Sequence, residues 1–204
     1  GDMRLARFST VICMLAGAWA ASALAAAAAA PDTVLVMGAT GRQGGAVVDE
    51  LLSRGYAVRG MTRSPQGKKA RRLAERGVTV VPGDYRDPDS LLAAMEGVRG
   101  VFYYSGLSRD ELGEALNVIA AAGQAGIGHL VYSSGAAAEP GVGMPDAAKM
   151  QAELALRDSG VPFTVLRPVA FMENFDRQQR RTWRQGIIDS RAPERIVCFI
   201  AIRD

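Results

Sequence analysis

Three glycines, each three residues apart, are the part of this sequence that most directly suggests chemistry. Gly38, Gly41 and Gly44 follow the apolar run VLVM and open a stretch with helical periodicity. Glycine permits backbone angles that other residues avoid, and a bare main chain lets a phosphate approach closely. The first N–H groups of a helix lack backbone partners and attract anions. Unless the glycines serve only a tight turn, this strand, loop and helix pattern predicts a dinucleotide site.

The end of the next predicted strand indicates which dinucleotide the site would take. A carboxylate there would hold the ribose 2′-hydroxyl of NAD, whereas an arginine would hold the 2′-phosphate of NADP. The sequence VRGMTRSP places Arg63 at this point and contains no acid. NADP(H) is therefore favoured over NAD(H), with Arg63 as the 2′-phosphate ligand. The basic residues that follow, including Lys68 and Lys69, are interpreted as an exposed helix face.

An acidic and an aromatic residue follow the third predicted strand. The sequence there is Gly83-Asp84-Tyr85. A carboxylate accepts hydrogen bonds, so Asp84 is suited to the exocyclic amine of an adenine ring, and Tyr85 borders the same position. Both residues are therefore candidate adenine ligands.

These residues need a sheet whose strands all end at one edge. From residue 33 onward, short β-branched runs alternate with longer helical stretches, which is typical of a parallel sheet with helices on both faces. The predicted strands cover residues 33–37, 57–61, 78–81, 98–104, 129–133 and 163–166, and the predicted helices cover residues 43–53, 68–76, 89–96, 110–125 and 145–158. The predicted fold class is therefore α/β, a Rossmann-type doubly wound parallel sheet.

Several motifs, occurring in order, resemble the NmrA-like family of atypical short-chain dehydrogenases/reductases. They are GATGRQGGAVV, MTRSP, GDYRDPDSL, HLVYSSGA and KMQAELALRDSGVPFTVLRPVAFMENF, and the resemblance covers residues 34–175. It implies an NADP-binding Rossmann domain, expected at residues 31–175. It also implies members of two kinds, those that reduce quinones or similar small carbonyl compounds and those that act as redox-sensing regulators without evident turnover.

The resemblance also assigns roles to individual residues. Arg63 would hold the 2′-phosphate, and Asp84 and Tyr85 would contact adenine. Ser105 would lie beside the cofactor, and Lys149 would lie near the nicotinamide ribose. Phosphate-loop roles would fall on Gly38, Thr40, Gly41, Arg42, Gln43 and Gly44.

One position departs from the pattern of typical short-chain dehydrogenases. Those enzymes carry a proton-donating tyrosine four residues before the lysine, where this chain has Pro145. Lys149 is therefore the candidate catalytic residue, as a proton donor acting alone or as a cofactor clamp, and the alternative is a solvated lysine. Asp146 and Glu153 are its expected partners at helical spacing.

The C-terminal part of the chain is the second departure. The family pattern continues well beyond MENF into a region that closes over the substrate. Residues 176–204 are therefore expected to be the start of a C-terminal substrate-binding region that is apparently truncated. Phe171 and Asn174, close to this junction, are interpreted either as substrate-pocket residues or as packing residues.

Two functions from different classes fit these features. The first is an NADPH-dependent reductase of a small quinone- or carbonyl-type substrate, in which Lys149 or water provides the proton. The alternative is a non-catalytic binding protein that senses NADP(H) and acts through a protein partner. A truncated product with neither function is a third interpretation.

The first 30 residues differ in composition from the rest. Arg4 and Arg7 precede an uncharged stretch, residues 8–30, that ends in a run of alanines, which predicts a signal peptide. An uncleaved membrane anchor and a mis-called gene start are the alternatives. A working leader implies a periplasmic or secreted protein, and a mis-called start implies a cytoplasmic one.

Charge and cysteine content exclude other classes. The formal net charge of +3 is too small to predict a nucleic-acid partner. Cys13 lies in the predicted leader, which leaves Cys198 alone and excludes a disulfide framework or metal set within the chain that follows. His129 is the only histidine and is interpreted as a strand-edge residue.

Overall fold

The computed structural model describes residues 32–106, 108–138, 147–171 and 199–200. These residues belong to the compact unit that begins at Asp32. The predicted leader, Pro145, Asp146, Asn174 and Cys198 lie outside the described residues. No helix within the described ranges is long and apolar enough to cross a bilayer.

A six-stranded parallel sheet forms the centre of this unit. Its strands are β1 (Thr33–Met37), β2 (Ala57–Thr62), β3 (Thr79–Pro82), β4 (Gly100–Tyr104), β5 (His129–Ser133) and β6 (Phe163–Leu166). They lie in the order β3-β2-β1-β4-β5-β6, and every neighbouring pair is parallel. The first strand, β1, lies in the middle of the sheet. Strands β2 and β3 extend the sheet on one side of β1 and strands β4, β5 and β6 extend it on the other, which confirms the predicted doubly wound sheet. A separate parallel pair consists of β7 (Ala170–Phe171) and β8 (Phe199–Ile200).

Helices cover both faces of the sheet. They are α1 (Arg42–Ser53), α2 (Lys68–Ala74), α3 (Pro88–Met95), α4 (Glu111–Ala125) and α5 (Ala147–Asp158). One buried cluster joins α1 and α2 to the sheet, and a larger one joins α3, α4 and α5 to the other face. Leu35, Val36 and Met37 of β1 are all 0% exposed, because the central strand is covered on both faces. This is why its sequence is apolar throughout rather than alternating.

The predicted element boundaries agree with the structure to within two residues. The largest differences follow from turns that fold back on the preceding helix. Helix α2 ends at Ala74 because the N–H of Val78 donates to the carbonyl of Leu73 at 3.2 Å. Strand β4 begins at Gly100, two residues late, because the N–H of Val98 donates to the end of α3 instead.

The start of α3 is fixed by a side-chain cap. The carboxylate of Asp87 accepts a hydrogen bond from the N–H of Ser90 at 3.3 Å, and Pro88 occupies the first helical turn. A proline is well tolerated there because its missing N–H would have had no partner. This cap sets the point at which the chain leaves the loop after β3.

A buried glutamate fastens α5 to the sheet. Glu153, whose side chain is 7% exposed, accepts hydrogen bonds from Ser134 Oγ and Arg167 Nη2, each at 2.6 Å. Burial acts to raise the pKa of the Glu153 carboxyl, but the hydrogen bonds from Arg167 and Ser134 outweigh it, so the pKa lies below its usual value. The ionised carboxylate therefore joins the segment after β5 to the segment after β6.

Replacing Asp87 with alanine should lower the free energy of unfolding by about 1 kcal/mol, because the N–H of Ser90 loses its acceptor at the helix start. Asp87→Asn should lose much less, since an asparagine oxygen caps helices nearly as well. Urea denaturation of the full chain measures both variants. Equal losses in the two would contradict the capping role.

Replacing Glu153 with glutamine should lower the free energy of unfolding at pH 7 by about 1–3 kcal/mol, because a charged hydrogen-bond acceptor becomes neutral. The folded-state pKa of Glu153 is lowered, so the stabilisation from the carboxylate is complete above its usual pKa of 4.5. This stabilisation disappears as the pH falls through the lower folded-state pKa. The difference in the free energy of unfolding between the parent and Glu153→Gln should therefore shrink over that range.

Urea denaturation at pH 7 and at successively lower pH values measures this difference. Glu50→Gln is the matched control, since Glu50 pairs with Arg54 on the surface, where both side chains are more than half exposed. Such a pair contributes about 0–1 kcal/mol. If the difference in the free energy of unfolding between Glu153→Gln and the parent stayed constant with pH, the ionised Glu153 carboxylate would not be the source of the stabilisation.

Candidate functional site

The carboxyl ends of the strands form the edge where a doubly wound sheet usually binds its ligand. The winding direction reverses between β1 and β4, which are neighbours in the sheet, and the crevice outside that point is the usual site. A cleft of about 530 Å³ opens there, between the loops that follow β1, β2, β3 and β4. Among the predicted site residues, those that line it are Gly38, Thr40, Gly41, Arg63, Asp84 and Tyr85.

The loop after β1 is a compact turn built on its glycines. Gly38 has a φ of +63°, and its carbonyl accepts a hydrogen bond from the N–H of Gly41 at 2.8 Å. A Cβ on Gly44 would lie 2.5 Å from that same carbonyl oxygen, so only glycine allows α1 to begin so close to the strand. The loop therefore delivers the helix start directly to the edge of the sheet.

The starts of α1 and α4, which both lie at the cleft, differ in charge. Gly41 precedes α1 without a side-chain cap, and the first turn of α1 contains no acid. Helix α4 is capped instead by Asp110, which accepts from the N–H of Gly113, and its first turn contains Glu111 and Glu114. The start of α1 is therefore suited to an anion, whereas the start of α4 already carries the protein's own negative charge.

The side chains of two predicted phosphate-loop residues have different surroundings. The side-chain amide of Gln43 donates to Ser133 Oγ at 2.6 Å, which ties α1 to the end of β5. Arg42 is exposed and lines a neighbouring groove between α1 and α2. Any contact of Gln43 with a phosphate would therefore come from its main-chain N–H group in the first turn of α1.

The two arginines of VRGMTRSP have different positions. Arg63 is exposed and lines the cleft. Arg59 instead donates to the carbonyls of Ala94 and Glu96 at 2.8 and 2.7 Å, at the end of α3.

Lys69 was missed by the sequence prediction and also lines the cleft. Its Nζ donates to the carbonyl of Thr40 in the glycine loop at 3.4 Å. The sequence does not distinguish Lys68 from Lys69, because only the packing of α2 decides which of two adjacent lysines faces the loop. Ala70 and Leu73 are the buried residues of that helix, and they set its orientation.

Asp84 lies in the cleft as an ionised carboxylate. Arg86 holds it through side-chain and backbone hydrogen bonds of 3.0–3.3 Å and lowers its pKa. The rings of Tyr85 and Tyr103 are perpendicular, with centroids 5.4 Å apart, and the Tyr85 hydroxyl donates to the carbonyl of Tyr104. Asp84 is therefore available as an acceptor, and the ring of Tyr85 forms part of the wall.

Buried hydroxyl groups lie beneath the same edge. The hydroxyls of Ser105, Tyr103 and Tyr132 are buried and have no hydrogen-bond partner among the described residues. The rings of Tyr103 and Tyr132 are stacked, with centroids 5.1 Å apart. Burial raises the pKa of Tyr132, while the nearby Ser105 hydroxyl and Lys149 ammonium act to lower it.

Lys149 is not a solvated lysine. Its side chain is 15% exposed and forms an ion pair with Glu111, whose side chain is 13% exposed. The expectation that Glu153 partners Lys149 is wrong, because Glu153 turns toward Arg167, as described above. Helical spacing predicts a near neighbour, whereas Glu111 lies at the start of α4, 38 residues earlier in the chain.

The remaining candidates lie elsewhere. His129 is at the amino end of β5, the opposite edge of the sheet, where Nε2 lies 2.9 Å from Thr164 Oγ1. Phe171 is half-buried in β7, paired in register with Ile200 of β8. Neither residue lines the cleft.

Known proteins with similar sequences are reductases and related proteins. The model of the NmrA-like family matches residues 30–195. The NAD(P)H azoreductase of Xenophilus azovorans is 34% identical over 142 residues, which are 69% of this chain and 49% of that protein. Quinone oxidoreductase 2 of Escherichia coli is 33% identical over 149 residues, 70% of this chain and 50% of that protein. The chain thus spans about half the length of these two relatives.

Two solved structures share the architecture. The triphenylmethane reductase of Citrobacter sp., complexed with NADP(H), has a TM-score of 0.75 and 32% identity, covering 83% of this chain and 61% of that one. NmrA, a negative transcriptional regulator in complex with NADP, has a TM-score of 0.62 and 26% identity, covering 71% of this chain and 47% of that one. The family match spans most of the sequence and agrees with these similarities, so the chain belongs to the NmrA-like family.

Proposed function

We propose that the cleft binds NADP(H) and that the protein reduces a small quinone- or carbonyl-type compound with NADPH as the reductant. The observation that carries this proposal is the presence of two anion-attracting features in one cleft. One is the uncapped, acid-free start of α1, and the other is the pair of cations Arg63 and Lys69. NADP(H) carries both a diphosphate and a 2′-phosphate, whereas NAD(H) lacks the second group.

The residues around the cleft suit the parts of this cofactor. The first turn of α1 would hold the diphosphate through main-chain N–H groups, because no side chain caps them. Arg63 and Lys69 would hold the 2′-phosphate through charge-assisted hydrogen bonds. The carboxylate of Asp84 keeps acceptor capacity beyond its bonds to Arg86, and it would take the adenine amine.

Lys149 is the candidate proton donor. When bound, the reduced nicotinamide supplies a hydride, and the acceptor gains that hydride and a proton. The Lys149 ammonium is the candidate because it carries a transferable proton, is largely buried at the carboxyl edge and is positioned by Glu111. The proton that it gives would be regained from water. A quinone-type acceptor suits this site, since it can also take a proton from solvent.

The alternative is a non-catalytic protein that senses NADP(H). The proline at position 145 favours it, and so does the similarity to NmrA, a regulator in complex with NADP. The reductase function is preferred because proteins more similar to this chain than NmrA are named as azoreductase, quinone oxidoreductase and triphenylmethane reductase.

Arg63→Ala should weaken NADPH binding by about 10–100-fold and leave NADH binding unchanged, because a hydrogen bond between charged groups contributes about 1.5–3 kcal/mol. Lys69→Ala should act in the same direction by about tenfold or less. Lys68→Ala is the control, since Lys68 is exposed and does not line the cleft.

Titration of the full chain with NADPH and NADH, followed by cofactor fluorescence, measures these affinities. An unchanged NADPH affinity in Arg63→Ala would contradict the preference for NADP(H). If the parent chain bound neither nucleotide, the site itself would be wrong.

Lys149→Met and Lys149→Arg should both lower kcat for a small carbonyl substrate by about 10²-fold or more, since a positioned general acid contributes about 10²–10⁴-fold. The loss should be smaller for a quinone such as menadione, which can also take its proton from solvent. The guanidinium of arginine keeps the positive charge but does not release its proton. The loss of NADPH absorbance measures turnover.

A Lys149→Arg variant with the parent kcat would show that the residue acts as a charge clamp rather than a donor. If the parent chain bound NADPH but reduced no member of a quinone and carbonyl panel, the sensing alternative would replace the reductase function.

A further inference from the structure

Tyr104, the last residue of β4, lies across the glycine loop. A Cβ on Gly38 would lie 2.7 Å from the Tyr104 hydroxyl oxygen, and a Cβ on Gly41 would overlap the same atom. The hydroxyl donates to the carbonyl of Gly38 at 3.4 Å. The phenol therefore fills the space directly above the loop, inside the cleft that it also lines.

This space is the one that a dinucleotide needs. The middle glycine of such a loop lets a diphosphate come close to the main chain. At Gly41, the hydroxyl oxygen of Tyr104 already occupies the position that the diphosphate would take. A diphosphate and the phenol cannot both stand over Gly41, because their oxygens would overlap.

The obstruction over Gly41 differs in kind from the one at Gly44. At Gly44 the nearest atom is the main-chain oxygen of Gly38, which is fixed by the turn. Over Gly41 it is the far end of a side chain, which can move by rotation about χ1. The half-buried ring of Tyr104 has open cleft beside it.

We infer that Tyr104 competes with the dinucleotide diphosphate for the phosphate cradle, and that its ring turns away from Gly41 when the dinucleotide binds. This inference rests on the proposed binding of NADP(H). Tyr104 then determines cofactor affinity, because only the fraction of molecules whose Tyr104 ring has turned away from Gly41 can bind the dinucleotide.

The competition is steric. Burial raises the pKa of the Tyr104 phenol, so the hydroxyl is neutral at ordinary pH and does not repel a phosphate by charge. Its hydrogen bond to Gly38 is long, at 3.4 Å, and the ring of Phe102 is 6.4 Å away between centroids. The ring is therefore held over the loop by contacts that a ligand with several phosphate hydrogen bonds can replace.

Tyr104→Leu, which removes the ring and its hydroxyl, should tighten NADPH binding by about three- to tenfold, the equivalent of losing one net hydrogen bond. Tyr104→Phe keeps the ring but loses the bond to Gly38, so its affinity should fall between those of Tyr104→Leu and the parent. Tyr56→Leu is the matched control, because Tyr56 is 42% exposed and precedes β2, away from the cleft.

Isothermal titration calorimetry of the full chain with NADPH and, separately, with 2′-AMP separates the two halves of the site. Adenosine 2′-phosphate carries the adenine and the 2′-phosphate but no diphosphate. Its affinity should be the same in the parent and in Tyr104→Leu, while the affinity for NADPH increases.

Each outcome has a distinct meaning. NADPH affinity that is unchanged or weaker in Tyr104→Leu, with 2′-AMP still bound, would overturn the competition and leave the proposed cofactor site intact. Weaker binding in Tyr104→Phe would make the hydroxyl a phosphate ligand instead. If no chain bound either ligand, the proposed function would fail, and the inference with it.

Discussion

The site depends on how closely the start of α1 approaches the end of β1. At Gly44 a Cβ would stand 2.5 Å from the carbonyl oxygen of Gly38. Because that oxygen belongs to the main chain, no side-chain rotation could relieve the overlap. The missing side chain lets the helix begin directly above the strand, so that its first N–H groups lie at the carboxyl edge of the sheet. Any larger residue would move α1 outward and separate its start from the loops after β2 and β3, which complete the cleft.

The charges around this edge are distributed unevenly, so the two ends of a bound ligand would meet different side chains. On the α1 and α2 side, the helix start contains no acid, and Arg63 and Lys69 line the cleft. On the α4 and α5 side, buried carboxylates face cations, in the pairs Glu111 with Lys149, Glu114 with Arg86, and Glu153 with Arg167. Phosphates are therefore favoured at the first side, and a ligand lying across the cleft would place its uncharged end toward the second.

The sequence predicted the features that depend on neighbours along the chain and missed those that depend on distant segments. The strands followed from β-branched runs, and the glycine loop followed from its spacing, because both patterns are local. The bond from Gln43 to Ser133 joins residues 90 positions apart, and the partner of Lys149 comes from another helix. Likewise, Tyr104 resembled an ordinary strand residue, since only the parallel pairing of β1 with β4 brings its ring over the loop.

Stability and binding are supported by different parts of the sheet. The middle of β1 is wholly buried and apolar, whereas polar burial is concentrated at the carboxyl edge, where the hydroxyls of Ser105, Tyr103 and Tyr132 lack partners among the described residues. An unsatisfied buried hydroxyl costs about 1–3 kcal/mol, which an apolar core of this size can offset. The edge is therefore the part of the fold that is least optimised for stability. This is expected of a surface whose polar groups are arranged for a ligand rather than for one another.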